Sequence, residues 1–468
     1  MGTEERPLAR VVPRPAFHFT PRTNWMNDPN GLVHVDGVWH LYFQYNPEGA
    51  DWGNMSWGHA TSGDLRRWTE HEVALSCRPG EQMFSGSAVV APDGGLVAYY
   101  TSAYDDGRQA QSRARSVDGR YWVTDPPGPV LDRGTTAFRD PKIIRHIDDD
   151  GTLTWVMLAV EAEDRQVLFH TSRDLLTWEY RGSYGPLGPE GVVWECPDLV
   201  RLRVDGREDD QRWVLVVSTN PVGADADADG SSMSWVIGDF DGAVFVADDA
   251  ELRRLDHGRD FYAGVTFDSA PDGDAIMVGW MSNWRYAADV PAAPSRGAMS
   301  LPRRLSLRTD DHGPALCQQP ADFLRDILAG EPEHRVSTPW ARAHEAHAVL
   351  ELRWDPAQTG TLRYEVSGDA DAVLAVEHRP ESGDVRITRS GTDAAALHPD
   401  FPSSVEFTLT ASSEARMLVV VDGPLVEIFF GEGEQTASHL LFTDSEAVAS
   451  RITTAHDEVV AVRLGTVT

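Results

Sequence analysis

Short runs rich in β-branched, aromatic and aliphatic residues dominate the first two thirds of the chain. Clear examples lie at residues 39–45, 88–101, 153–160, 213–218 and 275–281. The 3.6-residue periodicity of amphipathic helices is scarce in the same region. The pattern therefore predicts a domain built from many short β-strands.

A short sequence pattern recurs at regular intervals within this region. It begins with Ser, has Asp two positions later and ends in Trp, at residues 62–68, 116–122 and 172–178. Each copy follows one β-rich run and precedes another, which predicts a hairpin corner repeated once per structural unit. Units of about 50 residues with four short strands each are typical of propeller blades. Five such units fit between Phe17 and Leu307, so we predict a five-bladed β-propeller.

The pattern changes after Leu307. Residues 318–330 are compatible with a short connection that contains one or two helical turns. Alternating strands separated by Gly, Asp and Pro then continue to the last residue, a pattern that suits an antiparallel β-sandwich. The sequence thus predicts an all-β chain with a propeller at 14–310, a linker at 311–335 and a β-sandwich at 336–468. The sandwich holds no cluster of candidate catalytic groups, and we expect it to be structural or accessory.

Composition and charge exclude several classes of function. The 468 residues carry a formal net charge of −32, whereas nucleic acids and anionic membrane surfaces require a basic footprint. No run of 18 apolar residues occurs, so no membrane span is expected. The polar N-terminal residues favour a cytoplasmic protein, although the mature form of a secreted protein would have the same appearance. Homo-oligomerisation is left open.

No cofactor is predicted from the sequence. Cys77, Cys196 and Cys317 are far apart, and their spacing matches neither a disulfide framework nor a metal site. The acidic run 225–230 resembles the start of a calcium loop, but Val236 stands where the bidentate Glu should be. We interpret this run as an exposed acidic loop.

Three carboxylates lie next to proline-containing segments at strand ends. Asp28 lies in Asn-Asp-Pro-Asn-Gly, Asp140 in Arg-Asp-Pro-Lys, and Glu195 in Trp-Glu-Cys-Pro. The Asp28 segment alone is equally well explained as a turn, and the other two segments alone are better explained as turns or strand ends. The three segments fall in different predicted blades, however, and the inner strands of a propeller converge on its axis. We therefore expect the three carboxylates to meet there.

Several acids and aromatic residues around one pocket favour carbohydrate chemistry. Glycosidic bond hydrolysis requires one carboxylate that attacks and one carboxylic acid that protonates the leaving oxygen. Asp28, among amide donors, suits the ionised role, and Glu195, next to Trp194 and Cys196 in sequence, suits the protonated role. Asp140, preceded by Arg139, is expected to be an anion that binds sugar hydroxyls and stabilises positive charge.

These motifs resemble those of glycoside hydrolase family 32, the β-fructofuranosidases. Three hallmark segments are present in order, at residues 25–31, 139–141 and 195–197. Secondary similarities cover most of the rest of the chain, at residues 43–47, 84–87, 260–263, 279–284, 296–303 and 426–430.

The resemblance implies a five-bladed propeller with a C-terminal sandwich and a retaining mechanism on β-fructofuranosides. By matching positions, Asp28 would be the nucleophile, Glu195 the acid/base and Asp140 the stabiliser of the transition state. Cys196 would tune Glu195. The resemblance also implies a set of residues that line the fructose subsite: Asn27, Gln44, Trp52, Phe84, Ser85, Arg139, Tyr262 and Trp284.

Departures from the family pattern lie where the leaving group should sit. Ser295 replaces a Trp that is common in levanase-like members, and Arg285 stands where an acidic residue is common. The expected activity is that of an exo-β-fructosidase acting on sucrose or short β-fructans. The expected binding partner is therefore a small carbohydrate. A fructosyltransferase, a sucrose-6-phosphate hydrolase and, from another class, a non-catalytic sugar-binding protein are the alternatives.

Overall fold

The computed structural model describes most of the chain. The described residues are 13–148, 150–222, 230–292, 294–368, 372–391, 396–410, 412–443, 447–456 and 458–466. Residues 225–229 of the acidic run predicted to be an exposed loop lie outside this part of the chain.

The N-terminal domain is built from short antiparallel strands. The strands are β1 (Asn24–Val35), β2 (Val38–Asn46), β3 (Ser56–Ser62), β4 (Thr69–Glu70), β5 (Glu81–Val90), β6 (Leu96–Tyr104), β7 (Gln109–Ser116), β8 (Val123–Thr124), β9 (Leu131–Asp132), β10 (Phe138–Ile147), β11 (Leu153–Glu161), β12 (Gln166–Ser172), β13 (Glu179–Tyr184), β14 (Val192–Arg203), β15 (Gln211–Pro221), β16 (Ser232–Phe240), β17 (Phe245–Ala247), β18 (Arg253–Arg254), β19 (Tyr262–Thr266), β20 (Ala275–Trp280), β21 (Ser295–Arg296), β22 (Arg303–Asp310) and β23 (Gly313–Pro320). A 3₁₀ turn at Pro271–Gly273 precedes β20.

These strands form five sheets within the described residues. Their orders are β21-β1-β2-β3-β4, β5-β6-β7 with β8 and β9 on β7, β10-β11-β12-β13, β14-β15-β16 with β17 and β18 on β16, and β19-β20-β22-β23. The first strands contact one another in the closed sequence β1, β5, β10, β14, β19 and back to β1. The sheets are therefore arranged around one axis, as blades of a propeller, with apolar clusters between neighbouring sheets.

The repeated Ser–Asp–Trp segments are the corners between the outer strands of the first three sheets. In the first copy, Asp64 Oδ1 accepts hydrogen bonds from the backbone N–H groups of Arg66 and Arg67. Asp118 and Asp174 make the same pair of bonds in the second and third copies. The fourth sheet has an equivalent corner at Asp241, which lacks the Ser and the Trp and so escaped detection in the sequence.

The C-terminal domain is a sandwich of two six-stranded sheets. Its strands are β24 (His334–Ser337), β25 (Trp340–Glu345), β26 (His347–Trp354), β27 (Leu362–Ser367), β28 (Val373–Arg379), β29 (Asp384–Ser390), β30 (Ser403–Thr408), β31 (Ala415–Asp422), β32 (Leu425–Phe430), β33 (Gln435–Leu440), β34 (Ala447–Thr454) and β35 (Val459–Thr466). The sheet orders are β24-β35-β26-β31-β32-β33 and β25-β34-β27-β28-β29-β30. Alternate residues of strands such as β27 face one shared apolar core, as expected for a sandwich. A short helix, α2 (Pro356–Thr359), links β26 to β27.

Residues 311–335 were predicted to be a linker, but the first half of this segment is part of the propeller. Residues 313–320 form β23, which pairs along its whole length with β22 and completes the fifth sheet. The strand is rich in Gln and Pro, and its buried Gln318 side chain donates to Leu255 O and accepts from Arg303. Helix α1 (Phe323–Ala329) follows, in agreement with the predicted helical turns. Among the described residues, no helix is long and apolar enough to cross a membrane.

Buried ion pairs join the two domains. Arg303 of β22 is fully buried and binds Glu427 of β32 and Asp256. His18 donates toward Asp422 Oδ2 at 2.7 Å and toward Glu427 Oε1 at 2.9 Å, so both ring nitrogens face carboxylates. Burial alone would lower the pKa of His18, but the two carboxylates outweigh it and raise that pKa to about 9.

We expect the domain junction to weaken as the pH rises toward 9. Because the folded-state pKa of His18 lies above its unfolded value, its stabilisation is complete below about pH 6.5 and is lost as the pH passes 9. His18→Gln should lower the free energy of unfolding by about 3–5 kcal/mol at pH 6. Thermal unfolding of both proteins at pH 6, 7.5 and 9 measures this, and the difference between them should shrink as the pH rises.

Replacement of the exposed His312 by Gln is the control and should leave the pH dependence unchanged. If His18→Gln unfolds with the same pH dependence as the parent, His18 is not charged in the folded protein.

Candidate active site

The innermost strand of each of the five propeller sheets is interrupted at one level. The pairing register shifts between Met26 and Pro29 in β1, Phe84 and Gly86 in β5, Arg139 and Lys142 in β10, Glu195 and Asp198 in β14, and Tyr262 and Val265 in β19. Such bulges change the direction of side chains. All the predicted catalytic residues and several predicted binding residues lie within or next to these shifts.

The sequence explains why the strands break at this level. Pro29, Pro141 and Pro197 have no N–H to contribute to a ladder, so regular pairing cannot continue through them. In β5 the equivalent residue is Gly86, where a Cβ would lie 2.0 Å from the Tyr99 carbonyl oxygen. Asp140 has a φ of 60°, which any residue other than Gly, Asn or Asp rarely adopts.

Asp28 is held by side-chain donors. Ser85 Oγ donates to Asp28 Oδ2 at 2.7 Å, and Asn27 Nδ2 donates to Oδ1 at 3.0 Å. Trp25 Nε1 donates to Asn27 Oδ1 at 2.7 Å and so fixes that amide. The carboxylate is 8% exposed and has a defined orientation.

Asp140 is fixed mainly through backbone groups. Its own N–H donates to Thr101 Oγ1 at 2.8 Å, and its Oδ2 accepts from the Cys196 N–H at 2.9 Å. Thr101 is fully buried on β6, one strand outward from the axis. No sequence signal distinguished Thr101, because its importance comes only from the strand it faces.

Glu195 is bound by two of the predicted binding residues. Arg139 donates through Nη2 to Glu195 Oε1 at 2.9 Å, and the Tyr262 hydroxyl donates to Oε2. The Arg139 Nε atom is 3.9 Å from Asp140 Oδ2. Arg139 therefore bonds mainly to the carboxylate of the neighbouring blade, whereas the sequence suggested its neighbour Asp140.

Cys196 connects the other two acids. Its Sγ lies 3.6 Å from Asp28 Oδ2 and 3.7 Å from Asp140 Oδ2. Together with the Arg139 contact to Glu195, this brings Asp28, Asp140 and Glu195 into one cluster, as predicted. The predicted link from Cys196 to Glu195 remains a prediction, since the thiol is directed toward the two aspartates.

The pKa shifts of two groups run against the expectation from the sequence. Burial raises the pKa of Asp28, with Asn27 opposing and the charge of Glu195 adding to the effect. Burial likewise raises the pKa of Asp140 to about 7, against the opposing charge of Arg139. The sequence predicted an Asp140 held as an anion, and it could not weigh burial against a single arginine.

Trp194, which was expected to press against Glu195, lies outside the pocket. The Trp194 ring stacks with Tyr184 at 6.4 Å and belongs to the apolar cluster between the third and fourth sheets. Successive residues of a strand face opposite sides, so a neighbour in sequence is not a neighbour in the pocket.

The remaining predicted residues are connected to the cluster through neighbouring residues. Phe84 precedes Ser85 on β5, and its ring lies 5.9 Å from that of Trp52, which is 48% exposed. Trp284 stacks on Trp25 with ring centroids 6.0 Å apart. Gln44 is buried on β2 and donates to Met83 O at 2.9 Å.

Further residues below the acids were missed by sequence reasoning. Lys142, the only lysine of the chain, is buried and donates to Thr266 O at 2.7 Å. Its Nζ also lies 3.1 Å from Asp198 Oδ2. Lys142 and Asp198 each come two residues after a bulged position, so the signal was present in the two motifs. Among the described residues, no group of three or more His, Cys, Asp or Glu is arranged to hold a metal ion.

Comparison with known proteins adds an independent line of evidence. The family model for the N-terminal domain of glycosyl hydrolases family 32 matches residues 18–320, and the model for the C-terminal domain matches residues 326–464. The chain belongs to glycoside hydrolase family 32. The family assignment made from the motifs is thus confirmed, and with it the expectation of a glycoside hydrolase of the β-fructofuranosidase type.

Several family 32 relatives are similar over most of this chain. A levanase of Bacillus subtilis is 36% identical over 92% of this chain and 66% of its own length. An extracellular exo-inulinase of Aspergillus niger is 34% identical over 92% of this chain and 89% of its own length. The crystal structure of an Aspergillus awamori exo-inulinase aligns with a TM-score of 0.90 at 31% identity, over 98% of this chain and 99% of that chain.

Other solved relatives confirm the all-β architecture of propeller and sandwich. A Schwanniomyces occidentalis fructofuranosidase complexed with fructose aligns with a TM-score of 0.86 at 28% identity, over 97% of this chain and 99% of that chain. A Lactobacillus gasseri sucrose-6-phosphate hydrolase aligns at 24% identity with a TM-score of 0.81, over 99% of this chain and 94% of that chain. At that identity the likeness concerns the fold alone.

We expect Asp140→Asn to stabilise the folded protein at alkaline pH. Its folded-state pKa of about 7 lies above the unfolded value, so ionisation costs folding free energy above about pH 4 and the full cost applies above pH 7. The neutral amide avoids that cost, and the unfolding midpoint at pH 8 should rise by about 2–5 °C. Calorimetry at pH 8 and pH 4 measures the difference, which should vanish at the lower pH.

Asp311→Asn, at an exposed position, is the control and should have no such effect. An Asp140→Asn protein that is equally destabilised at both pH values would contradict the prediction.

Proposed function

We propose that this family 32 enzyme is a retaining exo-β-fructosidase that releases terminal fructose from sucrose and short β-fructans. The observation that supports the proposal is the cluster of Asp28, Asp140 and Glu195. Arg139 contacts Glu195 in this cluster, and Cys196 contacts the two aspartates. A pair of carboxylates around a glycosidic bond is the minimum requirement for hydrolysis, and here the pair is accompanied by a third acid.

In the first step, Asp28 attacks the anomeric C2 of the fructosyl unit. The hydrogen bonds from Ser85 and Asn27 orient its two oxygens before substrate arrives. Glu195 delivers a proton to the oxygen that leaves, so the C2–O bond breaks as the bond to Asp28 Oδ forms. The product of this step is a fructosyl ester on Asp28.

In the second step, Glu195 takes a proton from water, which attacks C2 and frees Asp28. Glu195 must therefore alternate between acid and base. The Tyr262 hydroxyl can donate to the carboxylate or accept from the protonated acid, and so can follow both states. Arg139 holds the other oxygen of Glu195 throughout.

Asp140 has the role of binding fructose hydroxyls and stabilising positive charge. Its Oδ2 is fixed by the Cys196 N–H, and its position in the bulge of β10 places it beside Asp28 through the shared thiol. A negative charge here favours the oxocarbenium-like transition state. The subsite around it would be completed by Gln44, Phe84, Trp52 and Trp284.

The substrate class rests on the relatives. Proteins named levanase, exo-inulinase and invertase, including one from Schizosaccharomyces pombe at 31% identity, resemble this chain over 92% of its length. A structure of a relative contains fructose. The family pattern specifies the leaving group least, because Arg285 and Ser295 depart from it.

Transfer to a sugar is the same-chemistry alternative. A fructosyltransferase resolves the same ester with a sugar hydroxyl in place of water. A sucrose-6-phosphate hydrolase would need a cationic phosphate site, and Arg285 is the residue that suggests one. A non-catalytic sugar-binding protein is disfavoured because all three acids are present and clustered.

Replacement of the proposed nucleophile tests the reaction. Asp28→Ala should lower kcat for sucrose by at least about 10³-fold, because no other group forms the ester. Initial-rate assays of fructose release measure this, and NMR of the first product should show β-fructofuranose, the retained configuration. Exposed Asp311→Asn is the control. An active Asp28→Ala protein, or inverted product, would overturn the proposal.

The identity of the acceptor and the leaving group is tested by product analysis. With sucrose, 1-kestose, inulin, levan and sucrose-6-phosphate, we expect mostly free fructose from the unphosphorylated substrates, even at high sucrose. New oligosaccharides or dianhydrides would favour the transferase. A preference for sucrose-6-phosphate that is lost in Arg285→Gln would favour the phosphate-specific hydrolase.

A further inference from the structure

We propose that Arg389 of the sandwich domain is a positioning residue for the active site in the propeller. The proposal rests on the function proposed above and extends it to a residue more than a hundred positions beyond the last catalytic motif. Arg389 lies on β29 and is 1% exposed. Like Arg303, it is a fully buried arginine at the junction of the domains.

Arg389 binds two propeller segments at once. Its Nη1 donates to Asp260 Oδ2 at 2.5 Å, and its Nη2 donates to the Tyr286 hydroxyl at 2.8 Å. Tyr286 in turn donates to Asp260 Oδ1 at 2.7 Å, which closes a triangle of buried groups. A guanidinium is planar and rigid, so it fixes the distance between the two segments as well as their orientation.

Each of these segments carries a residue of the candidate active site. Asp260 is two residues before Tyr262, whose hydroxyl binds Glu195. Tyr286 is two residues after Trp284, which stacks on Trp25. The chain between each pair is too short to absorb a displacement, so a shift of Asp260 or Tyr286 reaches the pocket.

The segment that carries Trp284 is anchored on the sandwich by apolar contacts as well. Tyr286 packs against Phe401 with ring centroids 5.1 Å apart, and both belong to a cluster that also contains Val290 and Leu440. The guanidinium of Arg389 lies over the Phe401 ring at 3.7 Å. This wall of the pocket therefore rests on the second domain.

Two further N–H groups of Arg389 are used within the sandwich. Its Nε donates to Phe401 O at 2.7 Å, and Nη1 also donates to Leu440 O at 3.0 Å. The arginine is thus rigidly mounted on its own domain before it contacts the propeller. A smaller or mobile cation such as lysine could satisfy one partner but not both.

Two variants test the proposal by steady-state kinetics on sucrose. Arg389→Lys keeps the charge and should lower kcat/KM about tenfold, because misplacement of binding groups by fractions of an ångström is costly. Tyr286→Phe removes only the shared hydroxyl, keeps every charge, and should raise KM more than it lowers kcat, since it acts through Trp284. The double variant should be no worse than Arg389→Lys alone, because the two residues act as one unit.

Arg416→Met is the matched control for loss of sandwich stability. Arg416 is bound to Glu351 and Glu432 on the outer part of the same domain. It should lower the unfolding midpoint without changing kcat or KM. The proposal is overturned if Arg389→Lys and Tyr286→Phe behave in the same way, with lower unfolding midpoints and unchanged kinetics.

Failure of the proposed function would look different. In that case the parent protein would release no fructose from any β-fructoside. The positioning role would then be tested by fructose binding, measured through tryptophan fluorescence. Weaker fructose binding by Tyr286→Phe than by the parent would still support the positioning role. Equal binding by both proteins would refute it.

Discussion

The interruption of the five innermost strands at one level is the constraint on which the active site depends. Proline or glycine follows each bulged residue, and the pairing register shifts at this point in all five strands. The interruption turns Asp28, Asp140 and Glu195 toward one another although they belong to three different sheets. A regular propeller would send alternate side chains into the cores between blades, where a carboxylate could not remain charged.

The same arrangement places acids where burial works against them. The pKa values of Asp28 and Asp140 are raised by burial, and the charge of Glu195 raises both further. The protein offsets part of this cost with hydrogen bonds from Ser85 and Asn27 and from a backbone N–H. This is the usual balance at catalytic centres, where groups suited to chemistry are held in surroundings that do not favour their charge.

The sandwich domain contributes buried charged groups that contact the propeller. Arg303 and His18 join the domains through buried carboxylates, and Arg389 reaches the segments on either side of the pocket. Arg303 and His18 each lie between two buried carboxylates and Arg389 binds one, which suits a chain with a large excess of negative charge. Buried pairs of a cation with a carboxylate therefore stabilise the domain junction and also hold the segments that carry pocket residues.

The sequence alone determined the class of fold, the repeated corners, the family and the three acids, because each leaves a local trace. The Ser–Asp–Trp corners repeat with the blades, and the proline-adjacent acids lie in motifs a few residues long.

Only the tertiary structure decided which group each side chain contacts. Arg139 donates a hydrogen bond to Glu195 and not to its sequence neighbour Asp140. Cys196 contacts two aspartates, and Trp194 packs in the core between two sheets. Thr101, Lys142 and Arg389 owe their places to strands that meet across sheets and domains. Burial, which sets the pKa of Asp140, also depends on everything packed around it and cannot be read from adjacent residues.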